Sequence, residues 1–133
     1  MNIKVCYNEI IVFVEKNYNQ KIAVAKVDGN SLEVYYKPAR FIPQVTIKIN
    51  IESVDKDCIR LAYEGSLGVP KLINAAVKVF KEAIPSGVQV DTDNRTVKVS
   101  PYEIKELEKL FAYVALDDVA FTDSAVEIRL QLA

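Results

Sequence analysis

Apolar residues recur along this chain with two different periods, and the changes between them mark its elements. Ile3, Tyr7, Ile10, Ile11, Val14 and Tyr18 fall at steps of three and four, which predicts an amphipathic helix over 3–18. A strand over Asn2 to Cys6 is the competing assignment. Asn17 and Asn19 suit the helix end, because short amides tolerate the left-handed turn that stops one. From Lys21 to Tyr36 the period becomes two. Ile22 and Val24 are answered by Leu32, Val34 and Tyr36 across Asp28-Gly29-Asn30-Ser31, an Asp-Gly hairpin signal whose tight turn favours positive φ. Pro38 and Pro43 bracket a short irregular passage, Ala39 to Ile42. Val45, Ile47, Ile49 and Ile51 then alternate with polar residues in the cleanest strand of the chain. Its partner runs from Cys58 to Tyr63, with Ile59, Leu61 and Tyr63 inward.

The three-to-four period returns after Pro70, which fits a first helical turn because its missing N–H has no partner there anyway. Val69, Ile73, Val77, Phe80 and Ile84, with Leu72 and Ala76 alongside, make a wide apolar face, and Pro85-Ser86-Gly87 ends the helix. Val88 to Val90 and Thr96 to Val99 form a second hairpin around Asp91 to Arg95. Ser100-Pro101-Tyr102-Glu103 has the form of a capping box and predicts a third helix with Ile104, Leu107, Leu110, Phe111 and Val114 inward. Two last strands, Leu116 to Phe121 and Ala125 to Leu132, flank a turn at Thr122 to Ser124.

Most consecutive strands are joined by turns too short for a parallel crossover. The expected fold is therefore a single α+β domain over residues 1–133. It has a mostly antiparallel, curved sheet of about eight strands, three helices packed on its apolar face, and about a third of its residues in helix. At 133 residues, half of them hydrophobic, the chain is long enough to bury a core without a staple. Cys6 and Cys58 are most simply small core residues, with a disulfide or a reactive thiol as the alternatives.

Charge and chemistry narrow the function by exclusion. With 17 basic and 18 acidic residues the net charge is −1, which offers no footprint for nucleic acid. Apolar runs such as Ile10 to Val14 are far short of the roughly 20 residues a transmembrane helix needs. The first residues lack the form of a signal peptide. A cytoplasmic protein with no transmembrane segment is expected, unless a leader or anchor has been removed. Histidine is absent, so Ser-His-Asp and Cys-His catalysis and histidine metal sites are excluded.

No nucleotide-binding glycine motif occurs. Gly65-Ser66-Leu67-Gly68 could receive an anion on free N–H groups, or serve as a plain helix entry. Asp91, Asp93 and Asn94 open like a calcium loop but lack its glycine and closing glutamate, so they are assigned to a hairpin tip. Two of Asp117, Asp118 and Asp123, near the last hairpin, could share a divalent cation or act as an acid/base pair, but Asp117 and Asp118 are consecutive, expected on opposite strand faces, and so do not converge. No enzyme, catalytic residue, metal or cofactor is expected. Tyr35 and Tyr36 face opposite ways, and Tyr35 is the better surface contact. Lys71, Lys78 and Lys81 form a solvated helix face that could loosely greet an anionic membrane.

The run V-x-V-D-x-D-N-R-T-V-K-V-S-P-Y-E-I-K-E-L-E-K-L, followed by A-L-D-D-V-A-F-T-D-S-A-V-E-I-R-L-Q-L, resembles small bacterial lipid-binding domains of the tubular-lipid-binding (BPI/SMP-like) type. The likeness covers Val88 to Leu132 and lies in a strand-helix-strand rhythm. It implies a long curved sheet wrapped on a helix beside an apolar groove. No leader or membrane anchor of the kind common in that type is expected here, which argues against an envelope role. The leading expectation is a non-enzymatic binding domain for an apolar ligand, a lipid or acyl chain, held between sheet and helices by Leu72, Ile73, Val77, Phe80, Ile47 and Ile49. The alternative is a protein–protein interaction module or homo-oligomeric scaffold with a solid core.

Overall fold

The computed structural model describes residues 1–37, 40–65 and 68–133. The elements are β1 (Asn2–Cys6), α1 (Tyr7–Tyr18), β2 (Ile22–Asp28), β3 (Ser31–Tyr36), β4 (Val45–Val54), β5 (Ile59–Gly65), α2 (Val69–Val79), β6 (Val88–Asp91), β7 (Thr96–Val99), β8 (Val114–Phe121) and β9 (Ala125–Leu132). All strand pairings among them are antiparallel. The class is α+β, as the sequence predicts. The single eight-stranded sheet is corrected: the strands form a six-stranded sheet of order β2-β3-β4-β5-β7-β6 and a three-stranded sheet of order β1-β9-β8.

The division follows from which apolar rows need cover. On the large sheet Val34 and Ile47 are opposite each other, as are Ile49 and Tyr63, Ile51 and Leu61, and Val90 and Val97. These positions make one continuous apolar face. The last two strands carry their own inward rows, which stack on that face rather than extending its edge. Ile59 of the large sheet is buried together with Val114, Leu116, Val119 and Leu130 of the small one. Backbone bonds fix the placement: the Leu116 N–H donates to the Lys56 carbonyl at 2.8 Å and the Phe121 N–H to that of Gly29 at 2.9 Å. Both acceptors belong to turns at one end of the large sheet, so the small sheet closes that end. The other end, where Tyr36 pairs with both Ile22 and Val45, is left to the helices.

At the N-terminus the competing assignment holds for Asn2–Cys6, a strand, and the helix begins at Tyr7. Asn19 ends it with φ 54°, the left-handed cap expected of an amide. The first hairpin forms where expected, but Gly29 does not take positive φ. The Asp28 carboxylate instead accepts the Asn30 N–H at 2.8 Å and closes the turn through a side chain. Of the passage between Pro38 and Pro43, Pro38 and Ala39 lie outside the described residues, as do Ser66 and Leu67 of the suggested anion loop.

The third helix is not formed. Between Ser100 and Tyr113 there is no α-helix but two short 3-10 turns, Pro101–Glu103 and Leu110–Ala112, with hydrogen-bonded turns between them. Ile104 is extended, at φ −82° and ψ 118°. The Glu103 carbonyl, which a helix would give to the Leu107 N–H, accepts the Ser86 hydroxyl at 2.9 Å, and Leu107 donates to Ile104 instead. Ser100 makes no capping bond with its side chain; its N–H donates to the Gly87 carbonyl at 2.7 Å. Tertiary partners thus outcompete the capping box, and Val114 belongs to β8. With α-helices of only 12 and 11 residues, helix content falls well below a third. Because there is no cap bond to lose, Ser100→Ala is expected to stay within about 0.5 kcal/mol of the parent in urea denaturation, rather than losing about 1 kcal/mol.

Candidate functional site

Helix α2 is anchored at its first residue. Val69 is 1 % exposed and packs on Gly65, where an added Cβ would lie 2.7 Å from the Val69 Cγ2. Gly68, the residue before the helix, has φ 97°, a conformation that favours glycine. From that anchor the apolar stripe of α2 faces the open end of the large sheet, and Ile73, Val77 and Phe80 along it are only half-buried. None of them belongs to either buried core cluster.

Between stripe and sheet lies an apolar cleft with two lobes. The inner lobe, about 260 Å³, is walled by Ile73 and Val77 above and by Ile49, Leu61, Tyr63 and Val97 of the sheet below. The outer lobe, about 330 Å³, continues between Phe80 and Ile84 on one side and Val14, Tyr18, Ile22 and Tyr36 on the other. Val34, Ile47, Ala76 and Val77 line both. The polar atoms are gathered at the outer mouth, where the Tyr36 hydroxyl donates to the Gln20 side-chain carbonyl. Tyr18 closes the gap between the helices, its ring edge-on to that of Phe80 at 5.1 Å. Burial raises the Tyr63 phenol above its ordinary pKa, so this wall stays neutral.

Five of the six expected ligand residues, Ile47, Ile49, Ile73, Val77 and Phe80, are brought together on this cleft. Leu72 is not: it is half-buried but outside both lobes. The walls contributed by α1, β2 and β3 were missed. Their alternation shows that Ile22, Val34 and Tyr36 face inward, but nothing in it tells which inward residues meet a helix and which meet a second sheet. Two hollows elsewhere are each larger than either lobe but of mixed chemistry. One of about 460 Å³ includes Lys56, Asp57 and Gln131, and one of about 620 Å³ lies over Asn8, Glu9, Lys16 and Asn17 of α1.

The remaining candidates are occupied by local bonds. Asp91 accepts the N–H groups of Asp93 and Asn94 and the Asn94 side-chain amide, and the amide bond is the main cause holding its carboxyl below the ordinary pKa. Asp117 is the extra residue of a β-bulge, so it and Asp118 are both exposed, contrary to the opposite-face expectation. Asp117 pairs with Arg129 at 3.9 Å and Asp123 with Lys26 at 3.6 Å. Among the described residues no three His, Cys, Asp or Glu side chains gather as metal ligands. Both cysteines are free thiols, and burial is the main cause that pushes Cys58 upward, away from the reactive thiolate. Tyr35 is half-buried, with its hydroxyl donated to Glu33 at 2.5 Å. No described helix is long and apolar enough to cross a membrane. Comparison of the chain with family models, with curated proteins and with solved structures finds no match.

Phe80→Ala tests how firmly the cleft is packed. Phe80 is half-buried and borders the outer lobe, so its truncation is expected to cost less than the roughly 3–5 kcal/mol of a fully packed phenylalanine. A thermal unfolding loss in that full range would mean the outer lobe is closed in solution.

Proposed function

We propose that this protein is a non-enzymatic binding domain for an apolar ligand of elongated shape, a lipid or acyl chain, held between α2 and the large sheet. The observation that carries the proposal is the joined pair of lobes, walled by aliphatic and aromatic side chains and polar only at the mouth. Together they fall within the range of small-ligand sites, roughly 300–1,000 Å³. An acyl chain would lie along Ile49, Ile47 and Val77, and its polar end would meet Gln20 and Tyr36. This reading does not depend on the resemblance over Val88 to Leu132, because apart from Val90 and Val97 the walls come from the first 84 residues. Among the described residues no wall residue is an acid, a base or a nucleophile placed for chemistry, which favours binding over catalysis.

The interaction-module reading draws on one observation, the edge position of β2, whose Ala23 and Val27 are exposed. Native mass spectrometry after incubation with a long-chain fatty acid separates the two. A saturating one-to-one adduct on the monomer supports the ligand domain. A bare dimer without adduct supports the module.

A further inference from the structure

The mouth of the cleft carries a second pattern that ligand binding alone does not explain. Tyr36 pairs with Ile22 and with Val45, so the segment before β2 and the loop between β3 and β4 leave the same end of the sheet. The Tyr18–Phe80 ring contact brings the ends of α1 and α2 to that place as well. Four large apolar side chains are exposed in these segments: Phe41 (94 %), Val79 (74 %), Phe13 (57 %) and Ile42 (46 %). Six exposed cations accompany them, Lys16, Lys21, Lys37, Arg40, Lys78 and Lys81, against two acids, Glu15 and Glu82. None of the six takes part in an ion pair among the described residues. On a chain whose net charge is −1, this is a concentrated positive rim set with hydrocarbon.

We infer that this rim is a docking surface for an anionic lipid bilayer, with the cations on the headgroups and Phe13, Phe41, Ile42 and Val79 entering the interface. The combination of basic and large apolar side chains around one patch is what interfacial binding uses. A second copy of the chain fits poorly, because a self-complementary contact would set the six cations against each other. The aliphatic Ile42 and Val79 favour hydrocarbon over nucleic-acid bases. The purpose of the docking rests on the cleft reading above, since a bilayer is where a long-chain guest resides and the rim surrounds the mouth through which it would pass.

The test is flotation of the protein with vesicles of phosphatidylcholine alone and of phosphatidylcholine mixed with phosphatidylglycerol, alongside binding of a fluorescent fatty acid in free solution. Flotation is expected only with the anionic vesicles and is expected to weaken as salt is raised. Lys78→Glu combined with Lys81→Glu should weaken it at least about twentyfold, at roughly fivefold per cation lost. Phe41→Ser with Val79→Ser should also weaken it, and both double variants should keep their fatty-acid binding because none of these residues lines the cleft. Equal flotation on both vesicles, flotation indifferent to the lysine reversals, or binding to a single-stranded oligonucleotide instead of vesicles would overturn the inference. Fatty acid bound in solution without flotation overturns the docking surface alone. Flotation without fatty-acid binding upholds the docking surface and overturns the cleft reading.

Discussion

Leu116→Ala is expected to destabilise the protein by about 3 kcal/mol, whereas Ile47→Ala should cost about 1 kcal/mol. Both substitutions shorten an inward aliphatic side chain of a strand, and their surroundings make the difference. Leu116 is 2 % exposed and is enclosed by Ile59, Val114, Val119 and Leu130, where the two sheets press face to face. Removing its branch leaves a sealed void, and the loss includes both the transfer of the side chain and the cavity. Ile47 lines both lobes of the cleft and is only half-buried. Its truncation widens a space already open, so little beyond the smaller transfer term is lost. Urea denaturation with an unchanged m-value reads the two directly. Equal losses of about 3 kcal/mol would place Ile47 in a packed core and close the cleft.

Ala76→Trp should have the largest effect on binding. Ala76 is exposed but lines both lobes, so an indole that turns inward from it occupies the passage that joins them. The substitution fills space rather than displacing packed neighbours, and stability is expected to change by less than about 1 kcal/mol. The affinity for an apolar guest should fall at least about tenfold. The chain has no tryptophan of its own, so the new indole is also the sole reporter of its surroundings. Its emission should be blue-shifted as in an apolar setting, and red-shifted emission with unchanged affinity would show that residue 76 is outside the site.

The strands and their inward faces were legible in the sequence because a period of two states both the element and its buried side. Ile47 and Ile49 on β4 and Leu61 and Tyr63 on β5 all face as their alternation implies. The division into two sheets was not legible, because β8 and β9 show the same alternation whether they extend a sheet or cover one. The third helix was misread for a related reason. Ser100 to Glu103 satisfies the local rule for a helix start, but Ser86, far off in sequence, takes the Glu103 carbonyl that would continue the helix, and Gly87 takes the Ser100 N–H that the capping box would satisfy. For the cleft, the stripe of α2 supplied Ile73, Val77 and Phe80. The opposing wall from Val14, Tyr18 and Ile22 depends on α1 ending beside α2, a contact no periodicity encodes.

Titration of the wild-type protein and Ala76→Trp with a long-chain fluorescent fatty acid tests the apolar cleft most directly. The wild type should show saturable, one-to-one enhancement of probe fluorescence with a dissociation constant of about 1 μM, reversed by an unlabelled fatty acid, and the variant should show at least about tenfold weaker binding. Absence of saturable binding by a folded, monodisperse wild-type sample, or equal binding by both proteins, would contradict a ligand site between α2 and the sheet.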